Sequence, residues 1–128
     1  MPNTTNIDLL ILHLQTIPPD CFEMSIWMQS RLHRCDTVGC LGGWIDHLSK
    51  RDNSLSEIAE WLGVDRDTSW IVTHLPQGYS LSEFDARPAA QRIALAIEML
   101  ERLRDTGECH WASIIDDNPA TTEEPSQC

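Results

Sequence analysis

The sequence predicts an all-α fold: a compact single domain of about five helices over residues 1–115, followed by a disordered acidic tail over residues 116–128. The helices are indicated by apolar residues that recur at helical spacing in several segments, most of them ended by proline or glycine. The tail is indicated by its proline, threonine, glutamate and serine, which supply no core residue. A chain of 128 residues suits one domain with one core.

The first helix is predicted over about Thr5–Thr16, and Pro18 and Pro19 end it. Its apolar face consists of Ile7, Leu10, Ile11 and Leu14. A short apolar hook is predicted to follow, formed by Phe22, Met24, Ile26 and Trp27. Residues 28–34 are predicted to form a loop.

The second helix is predicted over about Thr37–Ser49, with Val38, Leu41, Ile45 and Leu48 as its core stripe. A third helix is expected through about Leu62, with Ser54 or Ser56 as its N-cap and Gly63 as its C-terminal stop.

A short fourth helix is predicted over about Arg66–His74, with Trp70 and Ile71 facing inward. Residues 77–87 are then expected to form a loop that Tyr79, Leu81 and Phe84 anchor to the body. The last helix begins at about Pro88 and ends at Gly107. Its stripe consists of Ile93, Ala96, Ile97, Leu100 and Leu103. Trp111, Ile114 and Ile115 then return to the body.

Charge limits the classes of partner. The chain has 20 acidic and 9 basic residues, a formal net charge of −11, and the excess of acidic residues persists without the tail. This charge opposes binding to nucleic acid and to anionic membranes, and it favours protein partners with basic surfaces. No apolar run approaches the ~20 residues of a membrane span, and no secretory signal pattern begins the chain, so the expected compartment is the cytoplasm.

The segment from Cys35 to Trp44 concentrates unusual residues. It contains two cysteines, three glycines and a tryptophan, namely Cys35, Gly39, Cys40, Gly42, Gly43 and Trp44. Glycine inside a helix costs up to ~1 kcal/mol relative to alanine, so these glycines are expected to admit the close approach of another backbone. The final helix, through Ala89, Ala94 or Ala96, is the expected neighbour. We interpret the segment as a structural motif.

Four stretches of the chain resemble a group of small bacterial and phage proteins without an assigned biochemical function. The stretches are Pro-Pro-Asp-Cys-Phe-Glu-Met-Ser-Ile-Trp, Cys-Asp-Thr-Val-Gly-Cys-Leu-Gly-Gly-Trp, Ile-Ala-Glu-Trp-Leu-Gly-Val and Thr-Gly-Glu-Cys-His-Trp. The group is similar in its Phe-x-Met-x-x-Trp hook, its Cys-Gly-Thr-x-x-Cys-x-x-Gly-Trp-like segment and its closing Thr-Gly-x-x-Trp. This chain has Asp36 where the group has glycine. The resemblance covers residues 17–111 and implies a phage or mobile-element origin.

Enzyme chemistry is the first alternative. Cys35, Cys40, His33 and His47 are the candidate metal ligands, but the sequence lacks the second ligand pair typical of a structural zinc site. The candidate nucleophile pairs are Cys35 with His33 and Cys109 with His110; sequence neighbours such as these rarely place their side chains face to face. We therefore predict no catalytic residue, no metal and no cofactor.

A helix-turn-helix is the second alternative. Residues 56–68 resemble the first helix and turn of such a motif. The following helix has Arg66 as its only base, and Pro76 cuts it short, so two packed core helices are the preferred interpretation.

The tryptophans point to a protein partner. Five tryptophans in one small domain suggest a core with one or two rings left for a partner surface, because tryptophan is enriched at binding hot spots. Trp61 is the predicted exposed ring, with Glu57, Glu60, Asp65 and Asp67 as the acidic residues around it. The sequence therefore favours a nonenzymatic acidic regulator, for example an inhibitor that covers the nucleic-acid site of a host protein.

Overall fold

Helices form most of the structure, a computed structural model that describes residues 2–18, 21–22, 24, 28–30, 37–51 and 53–118. Seven helices lie within these ranges: α1 (Thr4–Thr16), α2 (Leu41–Ser49), α3 (Leu55–Leu62), α4 (Arg66–His74), α5 (Leu81–Asp85), α6 (Ala89–Thr106) and α7 (Trp111–Asp117). Two short strands, β1 (Met28–Ser30) and β2 (Thr37–Gly39), pair antiparallel with Gln29 opposite Val38. The predicted all-α class is confirmed.

Helix α6 is the central element, because it packs most extensively on α1 and also contacts α5 and α7. Helix α3 packs on α4, and α2 packs on α1 and α4. Trp111 is fully buried, and its indole Nε1 donates a hydrogen bond of 3.0 Å to the carbonyl of Val72. The ring of Phe84 meets Trp111 edge-on, with 5.3 Å between ring centroids. None of the helices in the described ranges has the length and apolar character needed to cross a bilayer.

Four predicted helices are confirmed, in α1, α3, α4 and α6. The predicted apolar face of α1 is fully buried, and Gly63 and Gly107 end α3 and α6 in the left-handed conformation that glycine adopts without strain. Ser54 is the N-cap of α3 in a complete capping box with Glu57. Local sequence signals therefore set these boundaries.

The predicted second helix begins too early. Residues 37–39 form strand β2, and α2 starts at Leu41 with Cys40 as its N-cap residue. Gly39 is consequently a strand residue, whereas Gly42 and Gly43 are buried in the first turn of α2. The helical spacing of Val38 and Leu41 competes with the backbone ladder that pairs residues 37–39 with residues 28–30, and apolar periodicity does not register that ladder.

The final helix, α6, was predicted to pack against Gly42 and Gly43, and as a main contact of α2 this prediction is wrong. Helix α2 packs chiefly on α1, α4 and β2, and α6 is not among its principal neighbours. Of the three predicted contact residues, Ala94 is exposed, Ala89 is half-buried and Ala96 is fully buried, on a helix that packs chiefly on α1. Both Gly42 and Gly43 have negative φ, so their backbone conformation is open to other residues and their burial is what distinguishes them.

Two further helices extend the prediction of about five. Helix α5 lies within the predicted loop over 77–87, where Ser80 caps it by accepting from the backbone N–H of Glu83 at 3.2 Å. Helix α7 continues to Asp117, past the predicted start of the tail. Residues 119–128 lie outside the described residues, as do Ile26 and Trp27 of the predicted hook; Phe22 and Met24 of that hook are buried.

Candidate protein-binding surface

The helix pair α3–α4 is held by three local devices. The Ser54 hydroxyl accepts from the Glu57 backbone N–H at 3.2 Å, and the Glu57 carboxylate accepts from the Ser54 N–H at 2.8 Å. Gly63 turns the chain with φ +77°. The Asp65 carboxylate then caps α4 by accepting from the Thr68 N–H at 2.7 Å. Three residues therefore connect two well-capped helices.

The inner face of α4 consists of Ser69, Val72 and Thr73, all buried. Its outer face carries Asp67, Trp70 and His74, which lie three and four residues apart and therefore share one side of the helix. We call these three residues the Trp70 face. Trp70 is 50% exposed, one of the few large apolar side chains that the described ranges leave in solvent. This degree of exposure contradicts the prediction that Trp70 faces inward.

The indole of Trp70 is ordered by its neighbour. Its ring stacks on the imidazole of His74, with 3.7 Å between centroids and 9° between planes. His74 Nδ1 lies 2.8 Å from the Thr73 hydroxyl and 3.3 Å from the Trp70 carbonyl oxygen. One side of the indole is therefore covered, and the ring is held in place before any partner arrives.

Trp61, the ring predicted to be exposed, is partly buried and packs against the core. Its carbonyl accepts a hydrogen bond of 2.9 Å from the Asn6 side chain on α1, and α1 packs on α3. The predicted exposure of Trp61 is therefore wrong, because α1 packs beside it on α3. The exposed tryptophan of the pair is Trp70.

The four predicted acidic residues divide into two classes. Glu57 and Asp65 are caps, and the backbone N–H groups of Ser54 and Thr68 lower the pKa of their carboxyls. The carboxylates of Glu60 and Asp67 make no hydrogen bond or ion pair with any described residue. The unengaged pair is therefore the one available to a partner, and Asp67 lies one turn before Trp70.

The segment from Cys35 to Trp44 contributes Trp44 to a cluster of aromatic rings. Trp44 is buried, and its Nε1 donates to the Cys21 carbonyl at 3.3 Å. The rings of His13 and His47 lie 4.9 and 5.2 Å from that of Trp44, centroid to centroid. Cys40 is buried at the start of α2. The described part of the segment thus contributes to the core, and Cys35 lies outside the described residues.

Burial acts on the thiols of Cys40 and Cys109. Burial raises the pKa of Cys40, and it raises the pKa of Cys109 to about 11. A catalytic cysteine requires a lowered pKa, because the thiolate is the attacking species. No group of three or more potential metal ligands occurs among the described side chains. His33 and Cys35 were candidates both for the metal site and for the nucleophile pair, and they fall outside the described ranges.

Helical spacing could have revealed the Trp70 face. Trp70 and His74 are four residues apart, and both lie away from the buried Ser69 and Thr73. This spacing indicated an exposed Trp70, but the ring was predicted to face inward because large aromatic side chains are usually buried. In the comparisons, no protein family, curated protein or solved structure matches this chain.

Proposed function

We propose that this protein is a nonenzymatic acidic regulator that binds a partner protein through the Trp70 face and occupies a basic surface on that partner. The observation that carries the proposal is the exposed, pre-ordered indole of Trp70 beside the unengaged carboxylate of Asp67. Tryptophan is the residue most enriched at binding hot spots, and ordering the ring in advance reduces the entropy lost on binding.

Charge supports a basic partner. Residues 54–74 contain four acidic residues and one basic residue, Arg66, within a chain whose net charge is −11. Opposite charges on two surfaces steer the encounter and raise the association rate, with a strong dependence on salt. A nucleic-acid-binding surface of a host protein is the concrete example of such a partner, and a phage or mobile-element origin would suit an inhibitor of this kind.

The test is capture from a lysate of cells that encode the protein. Immobilised wild-type protein is compared with Trp70→Ala and Asp67→Lys, and bound proteins are quantified by mass spectrometry. We expect a protein with a basic surface that wild type retains, that both variants lose at least about tenfold, and that high salt releases. The interaction is then measured with the purified partner.

Two matched controls separate the Trp70 face from general surface effects. Leu12→Ala removes another exposed apolar side chain, on α1, and Glu101→Lys makes the same charge change on the exposed part of α6. Both controls should capture the partner as wild type does. Equal capture by all five proteins would contradict the proposal.

DNA binding by the α3–α4 pair is the second candidate, because two short helices joined by three residues have the connectivity of a helix-turn-helix. The exposed residues of α4 argue against it. Arg66 is followed by Asp67, and the half-exposed Trp70 stands where a groove-reading helix presents polar or basic side chains.

A further inference from the structure

Two arginines are buried near the start of α6, and their surroundings differ. Arg92 is 7% exposed and donates hydrogen bonds to three backbone carbonyls. Its Nε donates to the Phe22 carbonyl at 2.9 Å, and its Nη1 donates to the carbonyls of Asp85 and Arg87 at 3.0 and 2.8 Å. Arg92 therefore ties three chain segments together and has a structural role.

Arg87 is equally buried, at 6% exposed, but its guanidinium is incompletely satisfied. Its Nη1 donates to the carbonyl of Asn118 and lies 3.4 Å from the Gln91 side-chain oxygen. Its Nε is buried and has no hydrogen-bond partner among the described residues. The guanidinium carbon lies 5.8 Å from the ring centroid of Phe84, and no carboxylate among the described residues pairs with it.

A buried cation without a counter-ion is energetically unfavourable, because desolvation of the charge is not offset by a nearby negative charge. The pKa of Arg87 is lowered by this burial. Proteins seldom retain such a group in a core position where an apolar side chain of similar volume would pack equally well. An unpaired, buried guanidinium therefore indicates a place where an anion binds.

Arg87 lines a cavity of about 380 Å³, which lies within the range of small-molecule sites. We call it the Arg87 cavity. Its walls are mostly apolar and include Leu75, Phe84 and Ile115, and its polar edge includes Tyr79 and Glu83. The residues come from the segments around α5 and from α7, so the cavity forms only when these distant parts of the chain fold together.

We propose that the Arg87 cavity binds a small monocarboxylate with an apolar body, whose carboxylate pairs with the Arg87 guanidinium. Arginine presents its donors as a planar fork; here Nη1 donates to Asn118 and Gln91 and Nε is buried, so the carboxylate would accept from Nη2. The apolar walls would take up the body of the ligand. Glu83 lines the same cavity, so a second negative charge on the ligand would be repelled; this favours a monoanion over a phosphate or a dicarboxylate.

This inference is independent of the partner proposed for the Trp70 face, because it rests on other residues. The test is titration of the full chain with three monocarboxylates of increasing size: butanoate, 3-phenylpropanoate and indole-3-propanoate. Binding is followed by calorimetry and by the Arg87 Nε–H signal in a ¹H–¹⁵N NMR spectrum. Fragments of this size bind at about millimolar concentrations, so titration extends to about 10 mM.

We expect at least one monocarboxylate to bind and to shift the Arg87 Nε–H signal. Its neutral amide, matched in shape, should bind at least about tenfold more weakly, and so should inorganic phosphate. Arg87→Met should lower the affinity for the carboxylate at least about tenfold, whereas Arg102→Met, the same replacement at a half-buried position of α6 away from the cavity, should leave it unchanged. Trp70→Ala should also bind the carboxylate as wild type does.

A thermal melt controls for folding, and Arg87→Lys is the second variant. Lysine keeps the charge without the fork, so it should retain part of the affinity that Arg87→Met loses. The proposal is wrong if none of the three carboxylates shifts the Arg87 signal, or if carboxylate and amide bind equally. It is also wrong if folded Arg87→Met binds the carboxylate as wild type does.

Discussion

The Tyr79 hydroxyl donates a hydrogen bond of 2.9 Å to the Oδ1 atom of Asp116, thirty-seven residues later in the chain. This bond connects the segment before α5 to the C-terminal part of α7, and it raises the pKa of the Tyr79 phenol. Two residues on, the carbonyl of Asn118 accepts from Arg87, and the Asn118 side chain donates to the Ile114 carbonyl at 2.9 Å. Residues 116–118 therefore belong to the fold.

These three residues were predicted to belong to the disordered tail, but their contacts make them part of the folded body. Truncation after Ile115 should lower the free energy of unfolding by about 1–3 kcal/mol, because Arg87 loses a buried acceptor. At this chain length such a change lowers Tm by several degrees. Truncation after Asn118 is the matched control and should melt within a degree or two of the full chain. Equal melting of the two truncated proteins would show that the Asp116 and Asn118 contacts contribute nothing measurable.

Acidification should destabilise the protein through His13. Burial lowers the pKa of His13, with a smaller contribution from the neighbouring His47, and its Nε2 is buried without a hydrogen-bond partner in the part of the chain that the structure describes. In the unfolded chain the histidine has a pKa of about 6.5, so the unfolded state binds the proton first as pH falls. The free energy of unfolding should therefore decrease between about pH 7 and pH 5, and His13 should have no effect at higher pH.

Replacement of His13 by phenylalanine keeps a ring against Trp44 and removes the titration. Urea unfolding of wild type and His13→Phe at about pH 7.5 and pH 5.5 should show a smaller acid loss in the variant. Glu57 and Asp65 have lowered pKa values, so their carboxylates lose their stabilising effect only at lower pH. The acidic condition, about pH 5.5, stays above that range. Identical acid losses would exclude His13 as the group responsible.

Gly42 and Gly43 test whether buried space accounts for the glycines in α2. Because both are buried with negative φ, we expect Gly42→Val and Gly43→Val each to destabilise by about 1–3 kcal/mol, the usual cost of overpacking. At least one alanine replacement should also destabilise. Ala94→Val, at an exposed position of α6, is the control for β-branching alone. Higher Tm values for both alanine variants would show that the glycines leave room to spare.

The two classes of acidic residue on α3–α4 should respond differently to alanine. Asp65→Ala removes the N-cap of α4 and should cost about 1 kcal/mol in thermal or urea unfolding. Asp67→Ala removes an unengaged carboxylate and should change stability by no more than about 0.5 kcal/mol. A large loss for Asp67→Ala would assign that residue to the fold rather than to the partner surface.

The protein should not bind duplex DNA detectably at physiological salt. Its net charge of −11 opposes the phosphate contacts that dominate such binding, and Arg66 is the one arginine or lysine in α4. A gel-shift titration with mixed-sequence duplex checks this expectation at two salt concentrations. A salt-dependent shift with submicromolar affinity would instead support the helix-turn-helix alternative.

Helix positions were accessible from the sequence because their signals are local. The apolar stripe of α1, the capping box at Ser54 and the stops at Gly63 and Gly107 each involve residues a few positions apart. Such signals act through backbone geometry within one or two helical turns, so they can be read without knowing where the helix packs. Strand β2 was missed because its ladder partner, β1, lies in a segment that was predicted to be a loop, and the apolar spacing after Val38 also fits a helix.

The candidate sites depended on tertiary structure. The sequence by itself determined the all-α class, the acidic character and the helix that carries Trp70, but contacts between helices decided that Trp61 is covered and Trp70 is exposed. Contacts between helices also decided the burial of Arg87, because no sequence pattern distinguishes this arginine from the others in the chain. Its burial beside the cavity arises only when α5, α6 and α7 pack together, because desolvation of a side chain depends on neighbours that are remote along the chain.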